Sequence, residues 1–552
     1  MTTADLVFHN GVVHPIDPAL SATDALAVRD DRIVALGDDA VALKGAHTEL
    51  IDLAGGALLP GFQDAHIHAV AGGLQRLGCN LEDVHSLDDY RSLIAAHAQQ
   101  HPDDEWLAGA GWYGDVFEGG YPHRKELDQI APGRAMVIVS HDAHGAWASS
   151  EALRRAGINR HTPDPDGGRI VRDAAGEPTG MLIESAADLV TEFLPEPDEA
   201  QLTAALLEAQ RYLHGLGITA WQDAAVGAAL AIPDTFETYR TAAATGRLTA
   251  RVTGALWWDR VAGMDQVDFL RERRAAACTG NFRATAVKIM QDGVCENLTA
   301  AVFQAYQGHE HEHGLSFIEP DELATIVRRL DAERFDLHLH AVGDRAVHEC
   351  LDATASRDGA AGGPAAWDPR HQIAHIDLIR RDDVMRMREL GVIANLQPLW
   401  AREDRVLVET KLPYLSEDQQ GRHFAFRSLH GAGVRIALGS DWPVSSPDPL
   451  WGIHTAVNRT APAGDPHAHD DHAQHVPLLA SESIDLATAL HGYTQGAAYA
   501  NRLDDCTGTL RPGSLADLVL LDQDPYAVPS AQLGSLKVRA TLVGGQVVHD
   551  AM

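Results

Sequence analysis

The chain has 552 residues, of which 45% are hydrophobic and 22% charged, and a formal net charge of −34 at pH 7. Its length and ordinary apolar content fit one large α/β domain of about 250–400 residues with additional parts. The negative charge argues against nucleic acid or an anionic membrane surface as a partner, since both would repel it.

The sequence shows no sign of targeting segments or of structural cysteines. The N-terminal segment MTTADLVFHNGVV has no basic region followed by an apolar core, so we expect no signal peptide. No run of about 18 apolar residues is present, which argues against a membrane span. The cysteines, at positions 79, 278, 295, 350 and 506, form no CxxC pair, which suits a reducing compartment. We therefore expect a cytoplasmic protein.

Both ends of the chain are rich in short strands and turns. Near the start, Asn10-Gly11 and Asp30-Asp31 each lie between two apolar runs, and Gly544-Gly545 does so near the end. Each dipeptide is typical of a hairpin turn. Neither end alone holds enough strands for a stable sheet. We therefore predict one small β-sandwich domain built from residues 1–60 and 503–552.

The interior alternates short apolar runs with helical stretches such as DELATIVRRLDAERF. The predicted strands are 217–222, 252–256, 285–290, 337–341, 372–375, 392–396 and 435–439. This alternation predicts an α/β fold with a parallel sheet, a (β/α)8 barrel formed by residues 61–75 and 205–502. Residues 76–204 interrupt the alternation with Gly-rich and turn-rich segments. We expect them to form a large insertion after the first barrel strand, near the mouth of the active site.

The first candidate metal ligands lie in the segment LLPGFQDAHIHAV at 58–70. His66 and His68 are two residues apart, so on a strand both side chains point to the same side and can bind one metal ion. Two such histidines could also cap a polar pocket. The surrounding apolar strand, and its place at the start of the β–α alternation, favour the metal site.

Four further candidates lie on or just after predicted strands: Lys288, His340, His375 and Asp441. An unpaired ammonium group inside an apolar strand such as ATAVKIM costs several kcal/mol, so Lys288 is an unusual choice there. Taken singly, the four could be a buried ion pair, two core histidines and a helix cap. Together they follow successive strand ends, where the sites of barrel enzymes are formed.

The ordered set HxH, Lys, His, His and Asp resembles the amidohydrolase superfamily of metal-dependent hydrolases. More narrowly, PGFQDAHIH, VKIMQDG, HAVGDRAV, LGSDWPV and GSLADLVLLDQDP resemble its YtcJ-like branch, to which N-substituted formamide deformylases belong. Segments of the insertion, SHDAHGAWASSEALRRAGI among them, resemble that branch as well, so the similarity spans nearly the whole chain.

The resemblance implies a role for each candidate ligand. His66, His68 and Asp441 would bind a first divalent metal ion, and His340 and His375 a second. Lys288 would bridge the two as a carbamate formed by N6-carboxylation, while a plain lysine beside a single ion is the alternative. Zinc is the expected ion because imidazole ligands dominate, although manganese, iron or cobalt would also fit.

The implied reaction is metal-dependent hydrolysis of a linear amide bond, in an N-formyl or N-acyl amine. Asp441 would be the catalytic acid/base in the attack of a metal-activated hydroxide. A cyclic amide, a deaminated ring or an ester is the alternative substrate, and a non-catalytic binding protein is the alternative class. The expected partner is a small-molecule amide, with no nucleic acid and no membrane. Dimers or tetramers are common among relatives, which leaves a homo-oligomer open.

Two further sets of residues are weaker candidates for the site. His144 and Asp142, in SHDAHGAW, match the region where the branch places a histidine near the site, so we expect them to bind the substrate; a structural role is the alternative. The histidine-rich runs at 309–314 and 465–475 could capture metal. Since both runs lack apolar neighbours, we expect them to be exposed loops.

Overall fold

The computed structural model describes residues 3–141, 143–165, 167–229, 232–357, 367–468 and 470–551. The N-terminal segment forms six short strands and one short helix: β1 (Leu6–His9), β2 (Val12–Val13), β3 (Leu26–Arg29), β4 (Arg32–Leu36), α1 (Asp38–Val41), β5 (Glu49–Asp52) and β6 (Ala57–Pro60). The chain then enters the first strand and helix of the central barrel, β7 (Phe62–Ile67) and α2 (Ala69–Leu77).

A separate six-stranded sheet follows, built only from residues of the expected insertion. Its strands are β8 (Cys79–Asn80), β9 (Trp106–Trp112), β10 (Ala135–Ser140), β11 (Gly145–Ala148), β12 (Gly168–Arg172) and β13 (Pro178–Glu184), in the order β12-β13-β11-β10-β9-β8. Its helices are α3 (Leu87–Gln100), α4 (Arg124–Ile130), α5 (Ser150–Arg155) and α6 (Ser185–Thr191).

The central sheet has eight parallel strands in the order β20-β19-β18-β17-β16-β15-β14-β7. After β7 these are β14 (Ile218–Val226), β15 (Arg251–Trp257), β16 (Phe282–Met290), β17 (Asp336–Ala341), β18 (Gln372–His375), β19 (Ile393–Leu396) and β20 (Ile436–Leu438). Each coincides with a predicted strand, and the expected (β/α)8 barrel is confirmed. The strands could be found because they are buried on both faces and therefore read as apolar runs.

Helices connect and surround the barrel strands. They are α7 (Glu199–Gly215), α8 (Phe236–Ala244), α9 (Val267–Ala276), α10 (Pro320–Ala332), α11 (Asp344–Ala355), α12 (Arg381–Leu390), α13 (Glu417–Gln420), α14 (Phe426–Gly431), α15 (Pro449–Asn458), α16 (Asp471–His475), α17 (Leu486–His491) and α18 (Ala497–Ala500). Within the described ranges, none of the helices combines the length and the apolar character that crossing a bilayer requires.

The two ends of the chain meet in a pair of sheets. The C-terminal strands are β21 (Leu518–Leu521), β22 (Val538–Val543) and β23 (Gln546–Asp550). One sheet has the order β4-β3-β1-β5 and the other β2-β6-β21-β22-β23, so the second combines strands from both termini. Phe8, Leu26, Leu58 and Leu518 belong to one buried cluster that joins the two sheets. The exact domain boundaries given above remain predictions.

The three predicted hairpins had different outcomes. Strands β3 and β4 pair antiparallel around Asp30-Asp31, and β22 and β23 around Gly544-Gly545, as expected. The predicted hairpin at Asn10-Gly11 does not form, because β1 pairs with β3 and β5 whereas β2 pairs with β6. The turn forms, with Asn10 at φ 61°, but it carries the chain from one sheet to the other. A turn dipeptide fixes the local reversal and not the partner strand.

The barrel closes between β7 and the end of β20. The backbone N–H of Asp441 donates to the carbonyl of His66 at 2.7 Å, and the N–H of Ser440 donates to the Asp64 carboxylate at 3.1 Å. A Cβ at Gly439 would lie 2.6 Å from the His66 nitrogen, so only glycine allows this approach. The first and last strands are therefore joined where two of the candidate ligands lie.

Candidate metal centre

All six predicted metal ligands lie at or just beyond the carboxyl ends of barrel strands. His66 is the second-last residue of β7 and His68 follows the strand, while Lys288 and His340 lie near the ends of β16 and β17. His375 ends β18, and Asp441 follows β20 by three residues. Since parallel strands end at one face of a barrel, the six side chains come from positions over 370 residues apart to one place.

His66, His68 and Asp441 form the tightest group. Asp441 Oδ1 lies 3.2 Å from His66 Nε2 and 3.0 Å from His68 Nε2. One ligand atom from each residue lies within 4.8 Å of the others. In a tetrahedral site with metal–ligand bonds of about 2.0–2.1 Å, neighbouring ligand atoms are roughly 3.3 Å apart. Two imidazole nitrogens and one carboxylate oxygen at these separations fit a divalent metal ion.

Lys288 lies beside this group. Its Nζ is 3.5 Å from His66 Nε2, and the residue is only 2% exposed. Burial lowers the pKa of the Lys288 amine to about 8, and the Asp441 carboxylate opposes that shift. The folded chain thus places Lys288 next to the candidate metal-binding group formed by His66, His68 and Asp441.

His340 and His375 lie on β17 and β18, between the strand of Lys288 and the strand that Asp441 follows in the sheet order. Their ring centroids are 4.5 Å apart, and that of His375 is 4.8 Å from His66. His375 Nδ1 is 3.9 Å from Asp441 Oδ2. His375 and Asp441 have φ angles of 78° and 60°, which non-glycine residues adopt rarely. Such backbone strain is typical of functional sites, where it directs a side chain.

The protonation states suit metal binding. Burial lowers the pKa of both His66 and His375 well below the ordinary value, so each imidazole is neutral near pH 7. For Asp441, burial raises the pKa, but a hydrogen bond to His68 and the charges of His375 and Lys288 outweigh it and leave the pKa lowered. Neutral imidazoles and an ionised carboxylate are the forms that bind metal ions.

A carboxylate that the sequence interpretation missed lies beneath His340. Asp292 Oδ1 is 3.3 Å from His340 Nδ1. The same side chain accepts hydrogen bonds from three backbone N–H groups, those of Ala301, Val342 and Gly343, at 2.8–3.0 Å. The available signal was its place in the motif VKIMQDG, four residues after Lys288. A carboxylate behind a ligand histidine is a common way to orient its ring.

A matching domain model identifies the family. A model described as "Amidohydrolase family" matches residues 49–549 of the chain. The chain belongs to the amidohydrolase family. Membership agrees with the order and placement of the candidate ligand residues described above.

Known proteins similar to this amidohydrolase cover its whole length. The "Putative amidohydrolase YtcJ" of Bacillus subtilis (strain 168) is 29% identical, over 99% of both chains. The "N-substituted formamide deformylase" of Arthrobacter pascens is also 29% identical, over 99% of this chain and 98% of its own. The expected similarity to the YtcJ-like branch is confirmed.

The fold agrees with a solved structure. A crystal structure of "an uncharacterized metal-dependent hydrolase" from Pyrococcus furiosus superposes with a TM-score of 0.71 at 24% identity. The superposition covers 94% of this amidohydrolase and 99% of the other chain. At that identity the likeness establishes the fold alone.

The two predicted substrate-binding residues of this amidohydrolase lie in the insertion. Asp142 falls outside the described residues. His144 Nδ1 lies 3.0 Å from Glu184 Oε2, and Glu184 Oε1 accepts a hydrogen bond from Asn297 at 2.7 Å. Asn297 follows β16, the strand of Lys288, so His144 is linked to a segment of the barrel mouth. A role in substrate binding stays a prediction.

The histidine-rich run at 465–475 is partly buried against the insertion, contrary to expectation. The ring of Tyr113 is stacked between His141 and His467, with centroid distances of 3.8 Å on both sides. His141 Nδ1 lies 3.4 Å from the carbonyl of Val444, three residues after Asp441. Asp465 is 2% exposed and pairs with Arg402 at 2.9 Å. The sequence could not show this because the apolar surroundings come from distant segments.

Proposed function

We propose that this amidohydrolase hydrolyses the linear amide bond of an N-formyl or N-acyl amine, with a divalent metal ion, zinc, bound by His66, His68 and Asp441. The observation that carries the proposal is the convergence of both Nε2 atoms on Asp441 Oδ1, at 3.2 and 3.0 Å. The similarity to an N-substituted formamide deformylase over 99% of the chain favours a formamide or a related amide.

The metal ion, when bound, would polarise the amide carbonyl and make a water molecule more acidic. The protein side chains would then move the protons. Asp441, whose pKa is lowered, is ionised at neutral pH and can accept a proton from the attacking water. As the C–O bond forms and the C–N bond breaks, the same carboxyl group gives that proton to the departing nitrogen. The products are a carboxylic acid and an amine, and Asp441 returns to its ionised form.

The proposal includes a second ion bound by His340 and His375, with Lys288 carboxylated on Nζ. A neutral lysine amine can attack CO2, forming an N–C bond and releasing one proton, and the resulting carbamate has two oxygens that can bridge two cations. Support comes from the burial of Lys288 beside His66 and from the close approach of the His340 and His375 rings. Arginine could not serve here, since its guanidinium remains protonated.

The proposal is tested by a hydrolysis screen with zinc-loaded protein. The substrates are an N-formyl amine, the matching N-acetyl amine, a cyclic imide and an ester of the same alkyl group, and released amine, acid or alcohol is quantified. We expect turnover of the N-formyl or N-acetyl amine. Turnover of only the imide or the ester would reject the substrate class and keep the metal site. A correctly folded protein without stoichiometric metal would instead support the non-catalytic alternative.

A further inference from the structure

A continuous chain of hydrogen-bonded side chains runs through the barrel interior, directly below the candidate metal ligands. It begins at His66 and ends at His375, and none of its members is more than 2% exposed. In order, the members are His66, His338, Gln222, Gln372, Asn395, Gln397 and His375. The proposed function uses only the two residues at its ends.

The direction of the hydrogen bonds is fixed from one backbone atom. Asn395 Nδ2 lies 2.8 Å from the carbonyl oxygen of Ala65, which can only accept, so this end of the Asn395 amide is the donor. Asn395 Oδ1 must then accept from Gln397 Nε2, at 3.1 Å. That leaves Gln397 Oε1 facing His375 Nδ1 at 3.0 Å, so Nδ1 of His375 carries a proton.

The hydrogen bonds from Asn395 toward His66 are directed by the same rule. Asn395 Nδ2 also donates to Gln372 Oε1 at 2.7 Å, so Gln372 Nε2 is a donor, and it donates to Gln222 Oε1 at 2.8 Å. Gln222 Oε1 also contacts His338 Nδ1, which must therefore carry a proton. A neutral His338 can then only accept at Nε2, 2.7 Å from His66 Nδ1. Nδ1 of His66 is thus protonated as well.

The part of the chain that leads to His66 passes through the amide oxygen of Gln222, which accepts from both Gln372 Nε2 and His338 Nδ1. Within the described part of the chain, Gln222 Nε2 is buried and has no hydrogen-bond partner. A buried donor without a partner destabilises the folded protein by about 1–3 kcal/mol, so the orientation of the Gln222 amide needs a physical reason. Turning the amide over would place its NH2 group against two donors, Gln372 Nε2 and His338 Nδ1, which is worse. The side chain is therefore held with its oxygen toward Gln372 and His338.

We infer that Asn395, which the Ala65 carbonyl orients, is a positioning residue that fixes the tautomers of His66 and His375 through this chain. With Nδ1 protonated in both rings, the lone pair of each Nε2 is left for a metal ion. The inference rests on the proposed metal site and deepens it: two ligands from different strands are set by one shared amide, that of Asn395, through Gln222 on one side and Gln397 on the other. Partners of this kind typically change metal affinity by about 10- to 100-fold.

The first test compares Gln222→Met with Gln63→Met. Methionine keeps the side-chain length and removes the amide. Gln63 is a matched control, since it is 1% exposed in β7 and donates to Thr507 at 2.7 Å, outside the chain. We expect Gln222→Met to weaken zinc binding about 10- to 100-fold in chelator competition, and Gln63→Met to leave it unchanged. Equal zinc affinity of Gln222→Met and wild type, or an equal loss in Gln63→Met, would overturn the inference.

A second variant tests the chain even where Gln222→Met does not fold. Gln397→Met removes the direct partner of His375 and should also weaken zinc binding. In metal-free, 15N-histidine-labelled Gln397→Met, the tautomer of His375 should no longer be fixed, whereas that of His66 should stay unchanged, because the Ala65 carbonyl still orients Asn395. An unchanged His375 tautomer, or an equal change in both rings, would overturn the inference.

The tautomers themselves can be read without any metal. In metal-free, 15N-histidine-labelled protein, the ring-nitrogen signals of His66 and His375 should report a protonated Nδ1 and an unprotonated Nε2. The reverse tautomer in either ring would contradict the chain. Neither zinc affinity nor the tautomers depend on the substrate, so a failure to hydrolyse amides would reject the proposed function and leave this inference standing.

Discussion

Asp292 Oδ1 lies 3.3 Å from Nδ1 of His340, and the same carboxylate accepts hydrogen bonds from the backbone of two other segments. The N–H of Ala301 comes from the segment after β16, and those of Val342 and Gly343 from the segment after β17. One buried side chain therefore joins two barrel loops and holds one of the candidate ligand histidines. The positions of the loops and of the metal site are thus linked.

Replacing Asp292 by Asn should weaken metal binding. The amide keeps one oxygen but places an NH2 group against backbone donors, and the partner of His340 loses its charge. We expect zinc affinity to fall about 10- to 100-fold, measured by chelator competition. Asp344→Asn is the control, since Asp344 is also buried and accepts a backbone N–H, from Phe303 at 3.0 Å. An equal loss in both variants would show a general effect of buried charge instead.

Gly343→Ala should destabilise the protein through the same contact. A Cβ at Gly343 would lie 2.0 Å from the carbonyl oxygen of Ala301, so the two loops would have to separate. We expect a loss of about 1–3 kcal/mol in the free energy of unfolding, measured in urea, together with weaker zinc binding. Gly431→Ala, where nothing lies within 4 Å of the new Cβ, should be neutral. A fully stable Gly343→Ala protein would contradict the close approach.

These loops show where the sequence is informative and where it is not. The barrel strands and the convergence of the candidate ligand residues could be predicted, because strands buried on both faces read as apolar runs and the candidates lie at or just after the strand ends. Gln222 and Gln372 lie 150 residues apart and are joined only across the barrel. A glutamine within a strand carries no sign of its partner. The prediction of a hairpin at Asn10-Gly11 is wrong for the same reason, since distant segments determine which strands pair.

Lys288 should make the stability of the metal-free protein depend on pH. Its pKa is about 8 in the folded protein and near 10.5 in the unfolded chain, so between these values the unfolded state binds the extra proton. The destabilisation of the folded protein by the buried ammonium group is fully present below pH 8 and is relieved as pH rises toward 10.5. Relative to Lys288→Met, wild type should gain about 1.4 kcal/mol per pH unit in this window.

The measurement is urea unfolding of both metal-free proteins in CO2-depleted buffer at several pH values. Lys288→Met should be at least as stable as wild type near pH 7, because it removes a buried amine, yet it should lose activity and bound metal. A constant stability difference across the window would mean that Lys288 is charged in the folded protein, which would argue against a carbamate.

Asp441→Asn should nearly abolish turnover and leave the fold intact. An amide cannot accept the proton of the attacking water, and general acid–base catalysis contributes about 10²–10⁴-fold to rate. The measurements are kcat on the substrate found in the screen and the thermal midpoint. Asp448→Asn is the control from the same loop: Asp448 caps α15 by accepting from Leu450 N–H at 2.9 Å, and asparagine caps helices equally well. Retention of most activity in Asp441→Asn would exclude it as the proton carrier.

Metal-dependent amide hydrolysis is measured most directly as amine release from an N-formyl or N-acetyl amine by one preparation in three states: as purified, after chelation, and after zinc is returned. Metal content is determined for each state. Metal-dependent hydrolysis predicts one or two metal ions per chain, loss of turnover when they are removed, and recovery when zinc is added back. Undiminished turnover by protein that contains no metal, or no turnover of any linear amide by protein fully loaded with zinc, would contradict it.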